Sequence, residues 1–146
     1  MSKNSALSLW IRLAKCYGLM IRAVRNGQRN SELTLPQFDA MAQLLRNPDG
    51  MTVNDLSEVL LVTAGNITGL VTRLEARGWV TRKVLADDRR VRVLRLTPKG
   101  KRIIENEIVK HEELLQMILR ELPNQSKQQL ISGLDRMRQA LEKSKD

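Results

Sequence analysis

Early in the chain, apolar residues return at Trp10, Leu13, Ala14, Tyr17, Met20, Ile21 and Val24. This three-four spacing predicts an amphipathic helix from Leu7 to about Gln28, with Gly27 at its end. Thr34-Leu35-Pro36-Gln37 predicts the next start: Thr34 caps, Pro36 fits the first turn and Gln37 closes a capping box. That helix runs through Phe38, Met41, Leu44 and Leu45 and stops at the turn Asn47-Pro48-Asp49-Gly50. Thr52 with Asp55 opens a short helix through Leu56 and Val59. After a break at residues 60–62, Thr63 is the expected cap of a helix running to Arg77, with Gly78 as its stop and Ile67, Leu70, Val71 and Leu74 inside. Two short helices joined by a tight turn form a helix-turn-helix.

The period then changes. Trp79–Leu85 and Arg90–Leu96 read as two strands of a hairpin around residues 86–89, without an Asn-Gly or Asp-Gly turn signal. Thr97-Pro98 restarts helix, which Ile103, Ile104, Ile108, Leu114, Leu115, Ile118 and Leu119 carry to Leu122-Pro123. Ser126 and Gln129 predict the capping box of a last helix, in which Leu130, Leu134, Met137 and Leu141 form a heptad seam. The fold class expected is mainly α (α+β). A winged helix-turn-helix over 34–100 is flanked by helical ends at 7–30 and 101–146, all in one domain over 1–146. The ends carry more apolar surface than a small helix-turn-helix core can cover. One reading packs them on their own domain; the preferred one pairs them with the same helices of a second copy, a two-fold dimer through Trp10, Leu13, Tyr17, Leu130, Leu134, Met137 and Leu141. A dimer sets two recognition helices about one DNA turn apart, roughly 34–36 Å.

Charge changes the picture from a fold to a tool. The 146 residues include 25 Lys/Arg and 16 Asp/Glu, yet Thr63–Arg102 alone holds eleven of the former and three of the latter. A near-neutral chain with one basic region points to a polyanion, nucleic acid above all. With only 3% aromatic residues, the chain lacks the stacking platforms of single-strand binders. Its single cysteine rules out an internal disulfide and a cysteine-based zinc site, and no metal or cofactor is expected. No apolar run of about 20 residues suggests a membrane span, so the expected location is cytoplasmic.

On the helix after Thr63 the outward arc holds Gly65, Asn66, Thr68, Gly69, Thr72 and Arg73, with Ala64 at its edge. That face is small and polar and has no acidic residue, which suits a helix entering a major groove. An ordinary solvated face would carry Glu and Lys instead. Gly65 and Gly69 each cost roughly 1 kcal/mol against Ala in a helix, so a close contact is expected there. In the hairpin, Arg89, Arg90, Arg92 and Arg95, with Arg82 and Lys83 opposite, form a basic edge. Charge that merely protects an edge strand is one reading. A wing that sends an arginine into the minor groove is the other, with Asp88 pairing with Arg90 to orient it.

The run Asp88-Arg89-Arg90-Val91-Arg92-Val93-Leu94-Arg95-Leu96-Thr97-Pro98-Lys99-Gly100 resembles the wing signature of the MarR family of transcription regulators: Asp-x-Arg, then an apolar-x-Leu-Thr, then Gly. Thr68-Gly69-Leu70-Val71-Thr72-Arg73-Leu74-Glu75-Ala76-Arg77-Gly78-Trp79-Val80 and Leu33-Thr34-Leu35-Pro36-Gln37-Phe38 are similar to the family's pattern as well. The resemblance implies a homodimeric winged helix-turn-helix that binds a pseudo-palindromic operator in double-stranded DNA, usually as a repressor. It implies Asp88 and Arg90 as the wing-tip pair and Ala64, Asn66, Thr68 and Arg73 as recognition-helix positions. Together with their neighbours, the candidate DNA contacts are Thr63, Ala64, Asn66, Thr68, Thr72, Arg73, Asp88, Arg89, Arg90 and Arg92. Many relatives release DNA on binding a small phenolic or other aromatic anion. No ligand residues carry over from them.

Cys16 follows the apolar phase of Leu13, Tyr17 and Met20 and is expected as a buried structural thiol, with a thiol-based redox switch as the alternative. His111, beside Glu112 and Glu113, is expected at the surface. There is no phosphate loop, nucleophile elbow or metal-ligand cluster, so no enzyme is expected. The Arg cluster lies on a hairpin, whereas a membrane-surface binder would carry it on an amphipathic helix.

Overall fold

The structure, a computed structural model, describes residues 2, 5–60, 66–85, 87–88 and 90–144. Along the chain run α1 (Ala6–Gly27), α2 (Leu35–Arg46), α3 (Val53–Val59), α4 (Ile67–Ala76), β1 (Val80–Val84), β2 (Arg92–Leu96), α5 (Pro98–Ile118) and α6 (Asn124–Lys143). The capping signals at Thr34, Thr52 and Thr97 act as expected. Thr34 Oγ1 accepts from the Gln37 amide (3.3 Å) while Gln37 Oε1 accepts from the Thr34 amide (3.0 Å). Thr52 accepts from Asp55 N (3.0 Å) and Thr97 from Gly100 N (2.9 Å).

Two expected starts are corrected. The helix after the turn begins at Ile67 with Asn66 as its cap, and the expected cap Thr63 lies outside the described residues. The last helix begins at Asn124 behind Pro123 with no side-chain cap, so Ser126 and Gln129 form no capping box. Proline fixes φ and can lead a helix without a side-chain acceptor.

The strands pair antiparallel, from Val80 opposite Leu96 to Val84 opposite Arg92. They are shorter than expected, and the connection spans residues 85–91. Met51 adds a third, one-residue rung, exchanging both backbone hydrogen bonds with Leu94 (3.1 and 2.7 Å). Gly50 makes this approach possible: its φ is +102°, and a Cβ there would collide with the Val93 side chain.

Met41, Leu44, Leu56, Leu74, Leu94 and Ile104 are sealed from solvent where α2, α3, α4, the sheet and α5 meet. A smaller cluster, Val24 and Leu35 with Ile21, Leu115 and Ile118, ties α1 to α2 and α5. The architecture is a mainly α winged helix-turn-helix with long helices at both ends. Among the described residues no helix is long and apolar enough to cross a membrane.

Candidate nucleic-acid interface

Burial of Leu70, Val71 and Leu74 turns the opposite side of α4 outward, and Asn66, Thr68, Thr72 and Arg73 are all exposed there. Asn66 stands at the helix end rather than within it: its Oδ1 accepts from Gly69 N at 2.9 Å, leaving the side-chain NH2 as a donor. This cap also accounts for Gly69, because a Cβ there would lie 2.8 Å from Asn66 Nδ2. The close contact expected at that glycine is thus internal. Thr72 Oγ1 donates to the Thr68 carbonyl (2.9 Å), so its hydroxyl proton is engaged within the helix. With no acidic residue in its first turn, the start of α4 favours phosphate. Ala64 and Gly65 lie outside the described residues, as does Arg89 of the wing.

In the wing, Asp88, Arg90 and Arg92 are exposed. Asp88 Oδ1 accepts from the backbone N–H of Arg90 at 2.9 Å, and Val91 N–H donates to the Asp88 carbonyl at 3.2 Å. The expected pairing is therefore corrected: Asp88 folds the turn that presents Arg90 and bonds its amide rather than its guanidinium. Arg95 is held at the wing base, its Nε donating to the Asp49 carbonyl (2.9 Å).

Arg82 departs from the expected basic edge. It turns toward α4, where its Nη2 meets Glu75 Oε1 at 2.9 Å, and its side chain is only 21% exposed. Its Nε is buried without a hydrogen-bond partner among the described residues. Lys83, next in the strand, faces solvent. The far end of α4 is tied down through Arg77. That guanidinium stacks 4.1 Å above the Trp79 ring and donates to the Glu32 carbonyl (3.2 Å).

Two cavities lie between α1 and α5, one bounded by α2 and the other by the connection between α1 and α2. The apolar one, about 210 Å³, is walled by Tyr17, Met20, Ile21, Phe38 and Leu115, and is also lined by Asp39 and His111. The other, about 300 Å³, is lined by Gln28, Asn30, Ser31, Glu107 and Lys110 and shares His111. His111 is half-buried, correcting the surface expectation: its ring lies 4.5 Å from that of Phe38 and its Nδ1 3.3 Å from Gln28 Nε2. Burial holds its pKa below the ordinary imidazole value, against the opposing charge of Glu112. The charged neighbours in sequence gave no sign of this, because residues adjacent along a helix point in different directions, and Glu112 and Glu113 face solvent where His111 does not. Sequence reasoning also passed over Glu107, whose buried carboxylate accepts from Ser31 Oγ (2.6 Å) and Lys110 Nζ (3.0 Å).

At the helical ends, Trp10 is 69% and Tyr17 53% exposed, and Leu130, Leu134 and Leu141 are exposed along α6. Leu13 and Met137 are half-buried. No residue of α6 is buried at all. Cys16 is exposed on α1, correcting the buried thiol; the apolar phase there faces outward too.

Known proteins give this geometry its context. Residues 31–91 match the MarR family pattern. An HTH-type transcriptional regulator of Bacillus subtilis, YfiV, is 33% identical over 114 residues, spanning 78% of this chain and 71% of that one. A MarR family transcriptional regulator from Silicibacter pomeroyi superposes with a TM-score of 0.78 at 30% identity, covering 92% of this chain and 94% of that chain. BpsR of Bordetella bronchiseptica, whose DNA binding is regulated by 6-hydroxynicotinic acid, shares the fold (TM-score 0.74, 21% identity, 94% and 95% covered). The chain belongs to the MarR family of DNA-binding transcriptional regulators.

Proposed function

We propose that this regulator works as a homodimeric repressor that binds a pseudo-palindromic operator and leaves it when a small aromatic effector binds. The observation that carries this reading is α6, which buries no residue within its own chain yet aligns Leu130, Leu134 and Leu141 on its surface. Exposed apolar rows on α1 and α6 call for a second copy. Two copies present two α4 helices to successive major grooves. Asn66, Thr68, Thr72 and Arg73 then face the groove, and the wing carries Arg90 and Arg92 to the adjacent minor groove. Leu134→Asp tests the dimer: light scattering should report a monomer, and operator affinity should fall at least 100-fold. A monomer that binds the operator at full strength would refute the role of the ends.

The apolar cavity supports the effector. It lies between the dimerisation helices α1 and α5 and the DNA-binding helix α2, and its 210 Å³ suits a single aromatic ring. Leu115→Trp, which fills it, should abolish effector-induced release while leaving operator binding intact. BpsR, with its aromatic acid, supports an effector of this class. A thiol switch at Cys16 is the second reading, favoured by exposure of the thiol. Hydroperoxide treatment that weakens operator binding by wild type and spares Cys16→Ser would establish it; equal affinity before and after excludes it.

A further inference from the structure

We infer that Arg82 and Glu75 act as a positioning pair that sets the angle between wing and recognition helix, and that Arg82 is no DNA contact although it sits among the wing's basic residues. The inference rests on the proposed entry of the wing into the minor groove.

Three observations carry it. Arg82 belongs to β1, opposite Leu94 of β2, so its backbone moves with the hairpin. Glu75 sits in the last turn of α4, so its backbone moves with the recognition helix. The 2.9 Å ion pair between them is shielded, with side chains 21% and 35% exposed, whereas Lys83, Arg90 and Arg92 are exposed. The buried Nε of Arg82 shows that the guanidinium is committed to this inward position. A helix in the major groove and a wing in the neighbouring minor groove bind together only if their separation matches the duplex. β1 follows α4 through the single turn at Gly78 (φ +72°), and the backbone rung Met51–Leu94 holds the hairpin on its far strand, so side-chain contacts set how the near strand stands against α4. Glu75–Arg82 is a direct charged link between the two.

The charge change separates positioning from electrostatics. If Arg82 held a phosphate, Arg82→Met would weaken binding, while Glu75→Gln, which removes a negative charge near DNA, would strengthen it. If the pair positions the wing, both substitutions weaken binding. We expect about a tenfold loss for each, a double variant no worse than either single one, and recovery of most affinity in the charge-exchanged Glu75→Arg/Arg82→Glu protein.

The test is fluorescence anisotropy and hydroxyl-radical footprinting of the full chain on a duplex selected from random sequence by the wild-type protein, with salt titrations and Arg90→Ala alongside. Positioning predicts that Glu75→Gln and Arg82→Met keep the central, recognition-helix protection, lose the outer protection and lower the salt slope alike, as Arg90→Ala does. Glu75→Gln binding as tightly as wild type or tighter, or a salt slope reduced in Arg82→Met but unchanged in Glu75→Gln, would overturn it. A global loss of fold would weaken central and outer protection alike and would also leave the exchanged pair unrescued; that result overturns it too. If Arg90→Ala leaves the outer protection intact, the wing reading itself falls. If Arg90→Ala removes that protection and Glu75→Gln does not, only the positioning inference falls.

Discussion

Replacing Glu107 tests how the helical ends are joined to the DNA-binding region. Its side chain is 7% exposed and accepts one hydrogen bond from Ser31, in the connection between α1 and α2, at 2.6 Å and another from Lys110 at 3.0 Å. A hydrogen bond to a charged group contributes roughly 1.5–3 kcal/mol. The contact with Lys110, whose own side chain is 60% exposed, adds less than about 1 kcal/mol. Glu107→Gln keeps the shape and one acceptor oxygen, so it should lose only the charge assistance, about 1–1.5 kcal/mol; Glu107→Ala should lose about 3 kcal/mol. Urea unfolding of the full chain at one fixed protein concentration reads both. Burial by itself pushes the carboxyl up, but the hydrogen bonds from Ser31 and Lys110 and the Lys110 charge outweigh it, so its pKa lies below the ordinary 4.5. A carboxyl lowered on folding stabilises the fold above its unfolded value, and that contribution fades as pH falls through the folded value. The gap between wild type and Glu107→Gln should therefore be full at pH 7 and narrow toward pH 4, while the titration of His111, common to both proteins, cancels. A gap that stays constant or widens over that range would refute the reasoning.

Other substitutions probe separate links. Arg90→Ala should lower operator affinity and reduce the salt slope by about one, as loss of a minor-groove cation requires; unchanged affinity and slope would remove Arg90 from the interface. Gly69→Ala should fail to give the roughly 1 kcal/mol that alanine normally adds in a helix, because the new Cβ displaces the Asn66 cap. A full gain on urea unfolding would show the cap to be dispensable. Gly100→Ala should destabilise by about 2 kcal/mol or more, since its Cβ would meet the Trp79 carbonyl, which is backbone and already accepts from Thr97 N (3.0 Å). A melting temperature within one degree of wild type would contradict that contact.

The sequence made the helices legible wherever a capping residue and an apolar phase agreed, as at Thr34, Thr52 and Thr97. It misled where two residues of similar capping ability compete. Thr63 and Asn66 both suit the start of the fourth helix, and only the fit of Asn66 with Gly69 chooses between them. The rung at Met51 was invisible because one extended residue has no alternation to read. The site divided in the same way. The outward arc of α4 followed from its buried stripe, so Thr68, Thr72 and Arg73 were placed from periodicity alone. Arg82 was misplaced because its charge suggested solvent, while its partner Glu75 lies across a turn. Cys16 and His111 were misread for one reason: an apolar or charged neighbourhood in sequence does not say which neighbour in space will cover it.

The short connection between α1 and α2 is fastened at three residues: Gln28 to His111, Ser31 to Glu107, and the Glu32 carbonyl to Arg77 beyond the end of α4. Such a tripod leaves no axis about which the reading head can swivel against the stem. Each foot is a single polar bond. The joint is therefore stiff as a whole and releasable one foot at a time, and which foot lets go determines the direction in which the head can turn.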